Sequence, residues 1–181
     1  MKELSLYILD LVQNSLRAEA KHISISVKDS ISKDRLEIII EDNGHGMDSE
    51  FLAKVTSPFV STRTTRKIGM GIPLFQMAAQ LTGGTFQIDS TLGHGTKLQG
   101  VFIRSHVDTP PLGDMAETLL TLVQGAPDVD FFYCYETDSQ TVIFDTREIR
   151  EILEDIPLNT PDVLVWIRDY LKELKLSIEN N

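Results

Sequence analysis

Leu36-Glu37-Ile38-Ile39-Ile40-Glu41-Asp42-Asn43-Gly44-His45-Gly46-Met47 is the stretch on which the reading of this chain turns. Its apolar, β-branched run fits a buried strand, and it ends in a carboxylate followed by two closely spaced glycines, where the backbone bends. A strand that delivers one acidic side chain to a glycine-lined bend can read a ligand through that carboxylate. Upstream, His22-Ile23-Ser24-Ile25-Ser26-Val27-Lys28 alternates strictly, as a half-buried strand does, and residues 29 to 34 supply a polar turn. The two strands should pair as neighbours. Before them, Leu4, Ile8, Leu11, Val12 and Ser15 recur at helical spacing, while Asp10, Asn14 and Arg17 fall on another face of the same helix. One face packs and the other presents polar chemistry.

Downstream, a helix is expected from Asp48 or Ser49, and another from about Gly71 to Leu81, with Pro73 in the first turn where its missing N–H would have no helical partner. Gly83-Gly84 stops that helix. Residues 85 to 90 and 96 to 104 read as strands joined by a turn through Thr91-Leu92-Gly93-His94-Gly95. The fold class is therefore α/β, a two-layer α/β sandwich whose mixed sheet carries helices on one face. Pro110-Pro111 breaks both helix and ladder and marks a boundary, giving one domain over 1–107 and a small α+β extension over 108–181. In the extension we expect a helix at 114 to 124, hairpin strands at 130 to 136 and 141 to 145, and a short helix from Arg147. A last helix follows the cap signal Thr160-Pro161 and carries Leu164, Ile167, Leu171 and Leu174 at spacings of three and four. Trp166 and Tyr170 read as core residues of this extension, with an anchor for a partner protein as the alternative.

With 181 residues the chain can bury a sizeable core. Its 41% hydrophobic and 24% charged content is that of a globular protein, and no run approaches the ~18 apolar residues of a membrane span. The start MKELSLYILDL has no basic segment and cleavage site of a secretory signal, so we expect a cytoplasmic protein without membrane attachment. Cys134 stands alone, which excludes an internal disulfide and a cysteine zinc cluster, and its aromatic neighbours suggest a buried strand position. Twenty-seven acidic residues against 17 basic ones give a net charge of −10, a field that repels nucleic acid. No nucleic-acid partner is expected.

Three further segments join Asp42-Asn43-Gly44-His45-Gly46 in a fixed order: Asp10-Leu11-Val12-Gln13-Asn14-Ser15-Leu16 before it, then Gly69-Met70-Gly71-Ile72-Pro73-Leu74 and Gly93-His94-Gly95-Thr96 after it. Together these resemble the N, G1, G2 and G3 boxes of the GHKL (Bergerat-fold) ATPases, the superfamily of gyrase, histidine kinases, MutL-type repair proteins and the large heat-shock chaperones. The resemblance covers roughly residues 4 to 104, and its specificity lies in the order and spacing of the four boxes. DLVQNSLRAEAKHISI and DNGHGMD are similar to MutL-type proteins, SPFVSTR with GMGIPL and GHGT to histidine kinases, and RKIGMGI to the anti-sigma-factor serine kinases.

The resemblance implies ATP and Mg²⁺ as cofactors and assigns roles. Asp42 would accept a hydrogen bond from the adenine amine, Gly44 and Gly46 would let the backbone approach the base, and Thr96 would close the adenine side. Asn14 would offer its amide oxygen to Mg²⁺, a cation that takes a few protein oxygens together with phosphate and water. Gly69, Gly71, Ile72 and Leu74 lie at a helix start whose free N–H groups favour phosphate. The segment between Val55 and Ile68, rich in Ser, Thr, Arg and Lys, resembles the ATP lid, and Arg63, Arg66 or Lys67 could reach the triphosphate. Asp10 stands four residues before Asn14, where hydrolytic members carry a glutamate that activates water. Aspartate is one methylene shorter, so Asp10 is either that base or a metal-shell or structural residue.

Two functions are implied. One is a stand-alone, histidine-kinase-like domain that phosphorylates a partner protein on histidine or serine, because none of His22, His45, His94 and His106 lies on a helix that could present a phosphoacceptor. The other is an ATP-dependent switch or weak ATPase that regulates a partner without transfer. The chain is too short to contain the transducer domain of gyrase or MutL proteins, which weighs against the second.

Overall fold

A computed structural model describes residues 3–56 and 70–179 of the chain. In chain order the elements are α1 (Leu4–Arg17), β1 (His22–Ser30), β2 (Arg35–Asp42), α2 (Ser49–Val55), α3 (Gly71–Leu81), β3 (Thr85–Thr91) and β4 (Gly95–Ile103). After Pro110-Pro111 come α4 (Met115–Gly125), β5 (Asp130–Thr137), β6 (Thr141–Asp145), α5 (Thr146–Leu153) and α6 (Pro161–Glu179). The strands form one sheet in the order β3-β4-β2-β1-β5-β6. All neighbours are antiparallel except β1 and β5, which run parallel from His22 opposite Asp130 to Asp29 opposite Thr137. The α/β class with a mixed sheet is as the sequence predicts.

Alternation along the strands sorts the two faces. Ile23, Ile25 and Val27 of β1, Leu36, Ile38 and Ile40 of β2, and Phe131, Tyr133 and Tyr135 of β5 are buried in one core with Leu4, Ile8, Leu11 and Val12 of α1. The intervening residues, such as Ser24, Ser26, Glu37 and Gln99, are half-buried, so the described helices leave that face largely open. Cys134 lies there, half-buried rather than in the core, and burial followed by the Glu136 charge raises its thiol above the ordinary range.

Phe75 of α3 is fully buried among Tyr7, Phe86 and Phe102, with ring centroids 6.1, 6.3 and 5.5 Å away. Its ring sits over Gly100 of β4, where an added Cβ would collide with Cε1 and Cζ. That contact sets how closely α3 lies on the sheet. Gly83, at φ +78°, ends the helix as the glycine pair predicts.

The segment after residue 107 extends the same sheet rather than building one of its own, since β5 pairs directly with β1. It is tied to α1 as well. The first two N–H groups of that helix, on Leu4 and Ser5, donate to the carbonyls of Pro111 and Leu112 at 2.9 and 2.8 Å, filling positions that a helix start leaves without internal partners. Trp166 is not a core residue. It is 49% exposed and stacks on Tyr170 at 5.4 Å and 7°, because its place on α6 faces away from the sheet while Val163, Ile167 and Leu171 turn inward.

Candidate functional site

α1 and β2 bring Ser15 and Asp42 together, although 27 residues separate them. The Ser15 hydroxyl donates to Asp42 Oδ2 over 2.6 Å, and the Gly44 N–H donates to Oδ1 over 2.9 Å. Each carboxylate oxygen is thus fixed by one bond and keeps acceptor capacity for a ligand. Ser15, read in the sequence as a packing residue, is also the residue that orients the carboxylate. Across the ladder Asp42 faces Thr96 of β4. The Thr96 hydroxyl meets Ser90 Oγ at 2.9 Å, and Ser90 Oγ also accepts from the Met47 N–H and lies 2.9 Å from the Gly95 carbonyl. One serine hydroxyl thereby joins the turn after β2 to the turn before β4.

The glycines answer to the protein's own backbone. Gly46 has φ +66°, and a Cβ there would overlap the Thr91 carbonyl; Gly95 has φ +89°, and a Cβ there would overlap the carbonyl of Asp42. At Gly44 an added Cβ would lie 2.6 Å from the Ala18 carbonyl oxygen. Packing against the protein itself is a second reason for glycine at both positions, since it excludes a side chain at Gly44 and at Gly46. Asn43 serves the same junction, its Oδ1 accepting from the N–H groups of Lys21 and His22 at 2.8 and 2.9 Å.

These elements enclose a cleft of about 200 Å³. Asn14, Asp42, Gly46, Ile72 and Thr96 line it, with apolar walls from Leu11, Ile40, Val55 and Leu98. Gly44 is not among the lining residues and meets the site through its N–H bond to Asp42. Apolar walls around one oriented carboxylate suit a flat heteroaromatic ring with an amino group at its edge. Arg17, which also lines the cleft, donates from Nη1 to Asn14 Oδ1 over 3.0 Å. It places a cation beside the candidate metal ligand. The sequence put Arg17 on the same helix face, three residues after Asn14, and that spacing was the signal for their contact.

α3 begins at the margin of this cleft. Its cap residue, Met70, provides no side-chain acceptor, the first turn holds no acidic residue, and the N–H groups of Gly71 and Ile72 bond to no described residue. Pro73 has no N–H, and the Leu74 N–H is taken by the Met70 carbonyl at 3.1 Å. Among the described residues Gly71 and Ile72 therefore hold the N–H groups without a partner, whereas the N–H of Leu74, half-buried further along, closes the helix. Asp10 does not line the cleft. It is exposed and backs onto the start of α3, where a Cβ on Gly71 would lie 3.2 Å from its own Cβ. Arg63, Arg66, Lys67 and Gly69 lie outside the described residues.

A layered α/β domain with this cleft has the form of an ATP-binding domain of the GHKL type. Residues 2–107 match the family described as histidine kinase-, DNA gyrase B-, and HSP90-like ATPase, and the chain belongs to that family. ATP is the ligand that membership implies. Among curated proteins the chain is similar to a sensor protein of Shewanella frigidimarina, 33% identical over 109 residues, covering 59% of this chain and 17% of that protein. It is also similar to the histidine protein kinase DivJ of Caulobacter vibrioides, 32% identical over 93 residues, covering 49% and 16%. The chain thus spans about a sixth of the length of these relatives. Among solved structures, the Aquifex aeolicus MutL ATPase domain complexed with ADP superposes with a TM-score of 0.55 over 85% of this chain and 70% of that one, at 13% identity. That likeness is one of fold. No described helix is long and apolar enough to cross a membrane.

Proposed function

We propose that this chain binds ATP with Mg²⁺ in the cytoplasm and passes the γ-phosphoryl group to a histidine or serine of a partner protein. The observation that carries the nucleotide part is the Asp42 carboxylate, held by Ser15 and Gly44 at the end of an apolar cleft beside the uncapped start of α3. Asp42 would accept from the adenine amine, and Asn14 would give Mg²⁺ one oxygen while phosphate and water supply the others. Arg17 and the Gly71 and Ile72 N–H groups would balance phosphate charge. Phosphoryl transfer asks the protein for position and electrostatics rather than covalent chemistry, and these groups supply both. Similarity to sensor kinases favours transfer to protein over transfer to water.

Regulation of a partner by nucleotide-dependent shape alone is the second reading, favoured by the bonds from α1 to Pro111 and Leu112, which connect the helix of Asn14 to the rest of the chain. Incubating the full chain with γ-labelled ATP and partners captured from its source cell separates the two. Acid-labile or acid-stable label on a partner supports transfer to histidine or serine. Nucleotide-dependent association with all label released to water supports the switch.

A further inference from the structure

A second cavity, of about 240 Å³, lies between α4, α6 and strands β5 and β6, and it shares no lining residue with the nucleotide cleft. Met115, Leu119, Val142 and Leu171 make its walls apolar. Two tyrosines also face it. The Tyr135 hydroxyl donates to Asp29 Oδ2 at 3.2 Å, whereas the hydroxyl of Tyr133 has no hydrogen-bond partner among the described residues. Every fully enclosed side-chain oxygen or nitrogen among those residues does have a partner. The unpaired Tyr133 hydroxyl, on a residue only 7% exposed, is therefore not fully enclosed, and Tyr133 is one of the residues that line this cavity. Burial raises this phenol well above its ordinary pKa, so it remains a neutral donor at physiological pH.

A hydroxyl that no protein group engages, on a residue otherwise almost buried, keeps its proton free to donate to an acceptor that enters the space beside it. We propose that this cavity is a second binding site, for an uncharged, mostly apolar molecule of about ten non-hydrogen atoms that presents one hydrogen-bond acceptor to Tyr133. The size follows from the volume and the apolar body from the walls. Absence of charge follows from the cation that also lines the cavity: Lys175 already pairs with Asp114 at 3.8 Å, and the chain carries −10 overall. The site stands apart from the nucleotide reading and does not depend on it.

Acetophenone and isopropylbenzene are matched in size and differ in the acceptor, so their binding to the full chain, measured by ligand-observed NMR titration, tests the assignment. Tyr133→Phe should fold, since the hydroxyl it removes bonds to nothing in the protein. Both probes are expected to saturate the wild type, and the ratio of the acetophenone Kd to the isopropylbenzene Kd should rise about threefold or more in Tyr133→Phe. Ala116→Phe, which fills the cavity from α4, should weaken both about tenfold or more; if that variant does not fold, the ratio in Tyr133→Phe decides alone. Benzoate should bind more weakly than acetophenone. Absence of saturable binding, or an unchanged ratio in Tyr133→Phe, would overturn the proposal, as would benzoate binding at least as tightly as acetophenone. Binding that survives in a folded Ala116→Phe variant would place the probes elsewhere, the nucleotide cleft included, and would overturn it too.

Discussion

Ser15 holds Asp42 through a 2.6 Å hydrogen bond from a helix to the end of a strand, so the acidic side chain of the cleft is oriented before any ligand arrives. Replacing Asp42 with Ala should weaken ADP and ATP binding at least about tenfold, because a charge-assisted contact of ~1.5–3 kcal/mol disappears. Ser15→Ala should weaken it less, since the Gly44 N–H still fixes one oxygen. Titration calorimetry on both variants reads the difference. Equal affinity of Asp42→Ala and wild type would remove this carboxylate from the site.

Asn14→Ala is expected to leave ADP binding without metal nearly unchanged and to abolish the gain that Mg²⁺ gives to ATP binding, since metal and phosphates are held jointly. Arg17→Ala should lower ATP affinity whether or not Mg²⁺ is present, because on the proposed reading its charge would act on phosphate directly. Affinities measured with Mg²⁺ and with a chelator distinguish the two. A wild-type Mg²⁺ enhancement in Asn14→Ala would show that the metal is held elsewhere.

Much of this was legible in the sequence because it is encoded over short distances. The alternation of Ile23, Ile25 and Val27 and the helical spacing of Leu4, Ile8, Leu11 and Val12 report burial within one element, and all seven are buried. The turn glycines at positions 46 and 95 were legible for the same reason. Less legible was whatever depends on a partner far along the chain. Nothing local tells that β5 lies parallel to β1, that Ser15 meets Asp42, or that Thr91 and Ala18 exclude side chains at Gly46 and Gly44. Trp166 was misplaced because an aromatic residue on an amphipathic helix resembles core until its angular position is known.

Gly100→Ala should destabilise the fold by about 1–3 kcal/mol, since the new methyl group would press into the ring of Phe75. For a chain of this size that lowers the Tm by about 2–12 °C in calorimetry. Adding Phe75→Leu should destabilise the Gly100→Ala protein by less than it destabilises the wild type, because the two residues occupy one space. Strictly additive losses would mean that the ring and the glycine do not meet.

Asp145 offers a test by pH. The Arg147 side chain holds its carboxyl below the usual range, against the opposing effect of burial, and the Arg147 N–H adds to this at 2.9 Å. A carboxyl whose pKa is lower in the folded than in the unfolded chain stabilises fully above the unfolded value, ~3.9, and loses that contribution as pH falls through the folded value. Asp145→Asn, which retains a capping side chain at the start of α5, should lower the Tm at pH 7, and the deficit should shrink as the pH is taken below about 4. A deficit that stays constant across that range would exclude the charge as its origin.

β1 is bonded on both sides, antiparallel to β2 and parallel to β5, although the stretch that matches the ATPase family stops at residue 107. Truncation at that point would strip β5 away and turn β1 into a bare edge, with the N–H and C=O groups that bonded to β5 left as a template for any other extended chain. It would also free the first amides of α1 from Pro111 and Leu112. Such a fragment should self-associate or precipitate where the full chain does not, and size-exclusion chromatography of the two would show it. The shortest piece that retains the nucleotide cleft in a well-behaved protein is therefore longer than the family match, and it must carry at least β5 with the helices that cover it.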